Sequence, residues 1–174
     1  MGELSWFSST GTDHDSDGCR DTSEDDDDDN DNRADTEDDC PVGLVGWDST
    51  NPKSDLDENG CQDGSIEDND SDGDGVIDLN DLCPKGASSW TSGPSSDFDA
   101  DGCQDSGEDL DDDNDYIFDT SDKCPTGEMS WTSSSISDYD ADGCRDFSED
   151  EDDDNDGVKD TLDLCETGDT NWLS

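Results

Sequence analysis

The sequence predicts an elongated rod of tandem repeats whose backbone is mostly irregular, with a few short helical turns and β-bridges. Five tryptophans recur at intervals of 41 to 43 residues, and two sets of four cysteines follow the same period. Only 24% of the residues are hydrophobic, so little apolar surface is available for a core. Segments around the tryptophans are rich in Ser, Thr, Gly and Pro, which favour turns over helices.

The period divides the chain into four repeats and the start of a fifth. We place these at residues 1–41, 42–84, 85–125, 126–166 and 167–174. Each complete repeat runs from a Gly-x-x-x-Trp segment, through two acidic stretches, to a cysteine near its end. Residues 1–8 and 167–174 align with the same part of the repeat. We therefore expect the chain to be a segment of a longer array.

The charge balance excludes several classes of partner. The chain has 56 Asp and Glu against 7 Lys and Arg, a formal net charge of -49. This composition is typical of disorder, but the acids recur at fixed offsets, so we expect a bound cation to complete the fold. Binding to nucleic acid through its phosphates is excluded because the electrostatic term has the wrong sign. No apolar run is long enough for membrane insertion.

Each repeat contains two copies of a twelve-residue pattern, Asp-x-Asp-x-Asp-Gly-x-x-Asp-x-x-(Asp/Glu), which we call loop A and loop B. Acids at positions 1, 3, 5, 9 and 12 with glycine at position 6 match the ligand spacing of a calcium loop of the EF-hand type. The backbone carbonyl of position 7 is a further ligand. Magnesium demands stricter octahedral geometry, so we predict calcium, with eight ions or more.

The predicted ligands follow from this register. In loops A they are Asp13, Asp15, Asp17, Cys19, Asp21 and Glu24; Asp55, Asp57, Asn59, Cys61, Asp63 and Glu67; Asp97, Asp99, Asp101, Cys103, Asp105 and Glu108; and Asp138, Asp140, Asp142, Cys144, Asp146 and Glu149. In loops B they are Asp27, Asp29, Asp31, Arg33, Asp35 and Asp38; Asp70, Asp72, Asp74, Val76, Asp78 and Asp81; Asp111, Asp113, Asp115, Ile117, Asp119 and Asp122; and Asp152, Asp154, Asp156, Val158, Asp160 and Asp163.

Three loops depart from the pattern. Glu67 comes one residue late, so the insertion at Gly64 must bulge for its carboxylate to reach the ion, and we expect this to be the weakest loop A site. Asn32 replaces glycine at position 6 and tolerates the left-handed backbone needed there. Tyr116 at the same position is costly, so either that loop distorts or its backbone differs.

Four further acids follow directly after the last residue of each loop A. They are Asp25, Asp68, Asp109 and Asp150. Either they only solvate the junction between the two loops, or they bridge neighbouring ions so that some sites hold more than one. The sequence leaves both alternatives open.

The 8 cysteines predict disulfides and an oxidising compartment, since paired Cys-x-x-Cys spacing and nearby histidines for zinc are missing. Two connectivities have nearly equal spacing. One pairs cysteines within a repeat, as in Cys19–Cys40, Cys61–Cys83, Cys103–Cys124 and Cys144–Cys165. The other crosses the junction, as in Cys40–Cys61, Cys83–Cys103 and Cys124–Cys144, and leaves Cys19 and Cys165 for outside partners. We favour the first because it satisfies every cysteine.

The segments between the loops suggest packing and linker roles. The constant phase of the tryptophans favours packing at small apolar junctions, with neighbours such as Leu82, Ile117 or Leu164, over ligand stacking. The Ser/Thr tracts at 8–10, 88–89 and 132–135 are expected to be linkers and, in an exported array, candidate sites for O-glycans.

Two stretches carry a family resemblance: DGDGVIDLNDLCP at 72–84 and DNDGVKDTLDLC at 154–165 resemble thrombospondin type 3 repeats. The loop A half of the repeat, with the sequence DGCRD…ED at 17–25 and 142–150, is similar to a microbial extracellular variant of those repeats. The resemblance implies calcium-stabilised, disulfide-braced modules with little core, in extracellular stalks and matrix proteins. The Trp-Ser segments and the cysteine at loop position 7 depart from the animal pattern, so that disulfide connectivity does not carry over.

We therefore expect an extracellular calcium-binding structural protein, a segment of a filament, fibril or cell-surface stalk that self-associates into a linear array. The alternative is a calcium-dependent adhesin, or an acidic calcium buffer or mineral-binding module. No nucleophile–base pair, phosphate loop or catalytic metal site is recognisable, so we expect no enzymatic activity.

Overall fold

The computed structural model describes residues 6–170; Trp172, which we place in a fifth repeat, lies outside them. Within these residues there is no helix and no strand, which confirms the predicted irregular backbone. The chain divides into two compact units, Met1–Thr91 and Ser92–Ser174. No helix in the described part is long and apolar enough to cross a membrane.

Isolated helical turns are present, but the predicted β-bridges are not. The Asp163 N–H donates to the Lys159 carbonyl at 3.0 Å, which closes a single turn at the end of a loop B. Val76, Ile117 and Val158 are the β-branched residues at which the sequence predicts these bridges, and none forms within residues 6–170. The reason is local, since the N–H groups of these three residues donate to carboxylates of their own loops at 2.6 to 2.8 Å.

The interior of the described chain is acidic rather than apolar. Only three hydrophobic side chains in residues 6–170 are buried, and all three are disulfide-bonded cysteines. Sixteen aspartates are buried instead: Asp13, Asp29, Asp31, Asp38, Asp55, Asp68, Asp72, Asp74, Asp81, Asp97, Asp113, Asp115, Asp138, Asp142, Asp154 and Asp156. Leu82 and Leu164 are 69% and 99% exposed, so these two leucines do not form the apolar junctions predicted beside the tryptophans, whereas Ile117 is half-buried.

The disulfides cross the junction between repeats, and the within-repeat pairing that we favoured is wrong. Cys40 pairs with Cys61, and Cys124 pairs with Cys144, each with a Cα–Cα distance of 5.2 Å. Cys83 and Cys103 are also disulfide-bonded, whereas Cys19 and Cys165 have free thiols.

Backbone contacts explain this pairing. The N–H of the residue before Cys40 donates to the Asn59 carbonyl at 2.9 Å, and the N–H of the residue before Cys124 donates to the Asp142 carbonyl at 2.8 Å. Each bond brings the end of one repeat beside position 5 of the next loop A. The two cysteines that follow therefore lie within bonding reach.

Every loop turns through two left-handed residues. Position 6 has a φ between 78° and 97° in all eight loops, including Asn32 and Tyr116. Tyr116 therefore takes the ordinary loop backbone, with a φ of 79°, rather than distorting the loop. Position 4 also has positive φ in all eight loops, between 51° and 70°, and seven of those residues are not glycine. This arrangement costs conformational energy in every loop.

Replacing Tyr116 by glycine is expected to stabilise the folded protein by about 0.5–1 kcal/mol, because it removes a left-handed aromatic residue. The side chain is 77% exposed, so little packing is lost. The measurement is calcium-dependent thermal unfolding followed by circular dichroism. Asn32→Gly is the matched control, for which we expect a smaller gain. A lower unfolding midpoint for Tyr116→Gly than for the parent would contradict this account.

Candidate metal centres

All eight loops share one set of hydrogen bonds. The position 6 N–H donates to the position 1 carboxylate at 3.0 to 3.3 Å. The position 7 N–H donates to the position 5 side chain at 2.6 to 3.0 Å. The position 2 N–H donates to the position 9 carboxylate at 2.8 to 3.2 Å. The sequence register thus corresponds to one repeated local structure.

These bonds bring the carboxylates of positions 1, 3 and 5 together. In loop A of repeat 1, one oxygen from each of Asp13, Asp15 and Asp17 lies within 4.8 Å of the others. The same holds for positions 1, 3 and 5 in loops B of repeats 1 and 2. Oxygen atoms this close, each from a different side chain, can hold one hard cation.

Burial follows the same register. Position 1 of every loop A, and positions 3 and 5 of every loop B, are at most 8% exposed. Within residues 6–170, the Oδ2 atoms of Asp31 and Asp115 are buried and have no hydrogen-bond partner. A buried carboxylate oxygen without a partner is costly, so each of these atoms points to a ligand at the loop centre.

The late acid of loop 2A reaches its expected place. In repeats 2, 3 and 4 the Oε1 atom of the last loop A acid, Glu67, Glu108 or Glu149, accepts the position 8 N–H at 3.2 Å. Gly64 absorbs the insertion with a φ of 68°. Glu67 Oε2 accepts the N–H of Leu44, near the start of the same repeat, at 2.9 Å, as Glu149 Oε2 accepts that of Glu128. Glu67 therefore occupies the same local position as its counterparts.

The last acid of loop B also lies beside the next repeat. The Asp38 Oδ1 atom accepts the Cys40 N–H at 2.6 Å. A Cβ added at Gly60, position 6 of the next loop A, would overlap with this Oδ1 atom. Gly143 and Asp122 repeat the arrangement. Glycine is thus needed at these two positions for close approach as well as for its backbone conformation.

Burial and the crowding of carboxylates raise the pKa values of several loop aspartates in the metal-free protein. Burial, followed by neighbouring carboxylates, raises the pKa of Asp57, Asp122 and Asp140 to about 7. The same causes raise the pKa of Asp31 and Asp38 to about 6. These residues occupy positions 3, 5 and 12, and a bound cation would remove the repulsion that shifts them.

The aspartate directly after each loop A lies between the two loops and faces both of them; these residues are Asp25, Asp68, Asp109 and Asp150. In all four repeats its Oδ1 atom accepts the first N–H of loop B, at 2.9 to 3.3 Å, and its buried Oδ2 atom has no hydrogen-bond partner within residues 6–170. Asp25 belongs to two groups of close ligand atoms, one with Asp17 and Cys19 and one with Asp21 and Asp28. This geometry favours bridging over simple solvation.

The structure also shows residues that the sequence reasoning missed. A serine two residues after the tryptophan bonds to the position 1 carboxylate, as Ser92 does to Asp97 and Ser133 to Asp138. Its signal is a spacing of five residues before position 1 in repeats 1, 3 and 4, in segments that we interpreted as coil or linker; in repeat 2 the spacing is six, and Ser49 donates to the Asp31 carbonyl instead.

A second missed contact joins the two loops of a repeat. The position 4 asparagine of loop B donates through its Nδ2 atom to the position 3 carboxylate of loop A in repeats 1, 3 and 4. The donors are Asn30, Asn114 and Asn155. In repeat 2 the residue is Gly73, and a Cβ there would lie 2.8 Å from Asp57 Oδ2. The two loops of each repeat therefore face each other.

Comparisons with known proteins identify no relative: no family model matches the chain, and no curated protein matches it.

Acidic pH is expected to favour the compact metal-free state. The folded pKa values of about 7 for Asp57, Asp122 and Asp140 lie above the value of about 4 for an unfolded aspartate, so the folded state binds more protons. That contribution to stability is fully present below about pH 4 and is lost as pH rises to about 7. Scattering from resin-stripped protein should give the smaller radius of gyration at pH 4. A metal-free chain that is most compact at pH 7.5 would contradict this prediction.

Proposed function

We propose that the protein is an extracellular structural repeat protein that folds around calcium ions, without enzymatic activity, and forms part of a filament, fibril or stalk. The observation that carries this proposal is the buried set of sixteen aspartates in one repeated register. Its thrombospondin type 3-like interpretation rests on the same loops.

The charge of the chain supports a cation-dependent fold. Among the described residues, Lys85 and Lys123 form salt bridges with the buried side chains of Asp63 and Asp142, and two further salt bridges join exposed or half-exposed groups. With 7 Lys and Arg against 56 Asp and Glu, the chain's own cations can offset only a few of the buried carboxylates. Eight divalent ions would neutralise sixteen of the 49 excess negative charges. Since like charges a few ångströms apart repel strongly in a partly buried site, the ions would stabilise the fold directly.

The donor set favours calcium over other metals. The converging groups consist almost entirely of carboxylate oxygens, which hard cations prefer. Zinc favours nitrogen and sulfur ligands, and the sequence has a single histidine. Flexible loops with five side-chain ligands suit the 6–8 oxygen ligands of calcium better than the strict octahedron of magnesium.

The two free cysteines support an array. Cys165 lies two residues after the end of a loop B, as Cys40 and Cys124 do. Cys19 is at position 7 of a loop A, as Cys61 is. In the bridges between repeats, the first kind of cysteine pairs with the second. Cys165 and Cys19 therefore have complementary roles toward further repeats, whether these belong to the same chain or to a second copy.

Calcium is expected to compact the chain even without its disulfides. Reduced protein should show a small radius of gyration in calcium and expand several-fold in volume with chelator, because the inward carboxylates then repel one another. A reduced chain that is equally compact with and without chelator would refute calcium-dependent folding.

A matched pair of variants tests the ligand assignment. Asp38→Asn removes a buried position 12 carboxylate, whereas Asp39→Asn removes an exposed neighbour with the same change of charge. We expect the first to weaken calcium binding at one site about tenfold, or about 1.4 kcal/mol, and the second to have little effect, as measured by calorimetric titration. Equal effects of the two variants would reject a specific role for Asp38.

The array proposal predicts covalent multimers with defined linkage. In calcium and oxidised glutathione, the two thiols should join head to tail, and peptide mapping should recover Cys165 linked to Cys19 of another molecule. Cys19→Ser should stop growth at the dimer, since one free thiol remains. Mainly Cys19–Cys19 linkage, or monomers that never multimerise, would contradict head-to-tail association.

A further inference from the structure

The junction between the two loops contains a separate group of carboxylates in repeats 1, 3 and 4. We call it the junction cluster, and it comprises position 9 of loop A, the acid after loop A, and positions 2 and 9 of loop B. Its members are Asp21, Asp25, Asp28 and Asp35; Asp105, Asp109, Asp112 and Asp119; and Asp146, Asp150, Asp153 and Asp160. In repeat 1, ligand oxygens of Asp21, Asp25 and Asp28 all lie within 4.8 Å of one another.

The position 2 side chains need an explanation outside the loop pattern, which assigns them no ligand role. Asp28, Asp112 and Asp153 each have a buried Oδ1 atom that finds no hydrogen-bond partner in residues 6–170. These atoms face other carboxylates where a cation would be favourable.

Repeat 2 supplies the independent observation, because its junction already holds a cation. Lys85 Nζ lies 3.2 Å from Asp63 Oδ2, the position 9 carboxylate of loop A. The Asp63 side chain is only 2% exposed. Position 2 of loop B is the fully buried Ser71, whose hydroxyl donates to Asp78 Oδ2 at 2.9 Å. The Lys85 ammonium thus contacts Asp63, whose counterparts in the other three repeats are members of the junction cluster.

The two residue differences at the repeat 2 junction, Ser71 and Lys85, together offset two negative charges. Relative to the other repeats, Ser71 removes one negative charge from the junction. Lys85 adds one positive charge where the other repeats have Val42, Thr126 and Thr167. The sum is two positive charges, which equals the charge of one divalent cation. In repeat 4 a cleft lined by Asp146, Asp153 and Asp160 opens to solvent, so an ion has a path to the cluster.

We propose that each junction cluster of repeats 1, 3 and 4 binds a divalent cation, calcium in the extracellular setting, and that the Lys85 ammonium replaces this ion in repeat 2. The proposal rests on the proposed calcium function and extends it: the chain would bind eleven ions, eight in the loops and three at the junctions. The junction ion joins loop A to loop B, while Asp25 and its counterparts connect it to the loop A ion.

The test counts calcium ions bound to the intact disulfide-bonded chain by native mass spectrometry in calcium acetate. We expect eleven ions on the parent chain. Ser71→Asp with Lys85→Thr should give twelve, because it restores the junction cluster in repeat 2. Asp28→Ser with Val42→Lys should give ten. Its control, Asp26→Ser with Val42→Lys, has the same net charge but loses only an exposed carboxylate, and should keep eleven.

The outcomes separate the two proposals. Eight ions on the parent and on every variant would overturn the junction site and leave the loop sites intact. A chain that binds no calcium would overturn the proposed function as well. Equal counts for the Asp26 and Asp28 variants would reject the assigned ligands. If the Asp28 variant fails to fold, the gain of one ion in the repeat 2 variant decides the question.

Discussion

The repulsion between inward-facing carboxylates is the constraint on which this structure depends. A globular domain gains most of its stability by burying apolar side chains, whereas the described part of this chain buries aspartates and disulfide-bonded cysteines. Backbone N–H groups satisfy one oxygen of many carboxylates, and the second oxygen faces other acids. In the proposed function, a cation at the centre of each group converts this repulsion into attraction, whereas protonation at acidic pH only relieves it. Folding and ion binding are therefore one process in our account.

The backbone conformation follows from this constraint. Five ligands from twelve residues can converge only if the chain turns sharply, and it does so through left-handed residues at positions 4 and 6 of each loop. The short hydrogen-bonded loops leave no N–H groups in register for a sheet and no uninterrupted segment for a helix. Repeats 1 and 2, and likewise repeats 3 and 4, contact each other through carboxylates, carbonyls and disulfides in the described residues. Regular secondary structure is absent from the described residues because the side chains take over its hydrogen bonds.

The parts of the structure that could be predicted are those set by local spacing. The period of two in the acids identified the eight loops, and it placed Glu67 correctly despite the insertion before it. The disulfide pairing could not be deduced, because the alternatives close loops of nearly equal length and only the contact beside Asn59 decides between them. The exposure of Leu82 and Leu164 was not predicted, because small apolar junctions beside the tryptophans were assumed. The relation between Ser71 and Lys85 is invisible in sequence, since it depends on which side chains meet at the junction.

The central claim is most directly tested by amide hydrogen exchange of the disulfide-bonded protein, followed by mass spectrometry in calcium and in chelator. The position 6 and position 7 N–H groups donate to carboxylates that would bind the ions. Our account predicts protection of these amides in all eight loops in calcium, and its loss throughout when the metal is removed. Protection that persists in chelator would contradict the account, because it would show that the carboxylate groups keep their arrangement without a cation.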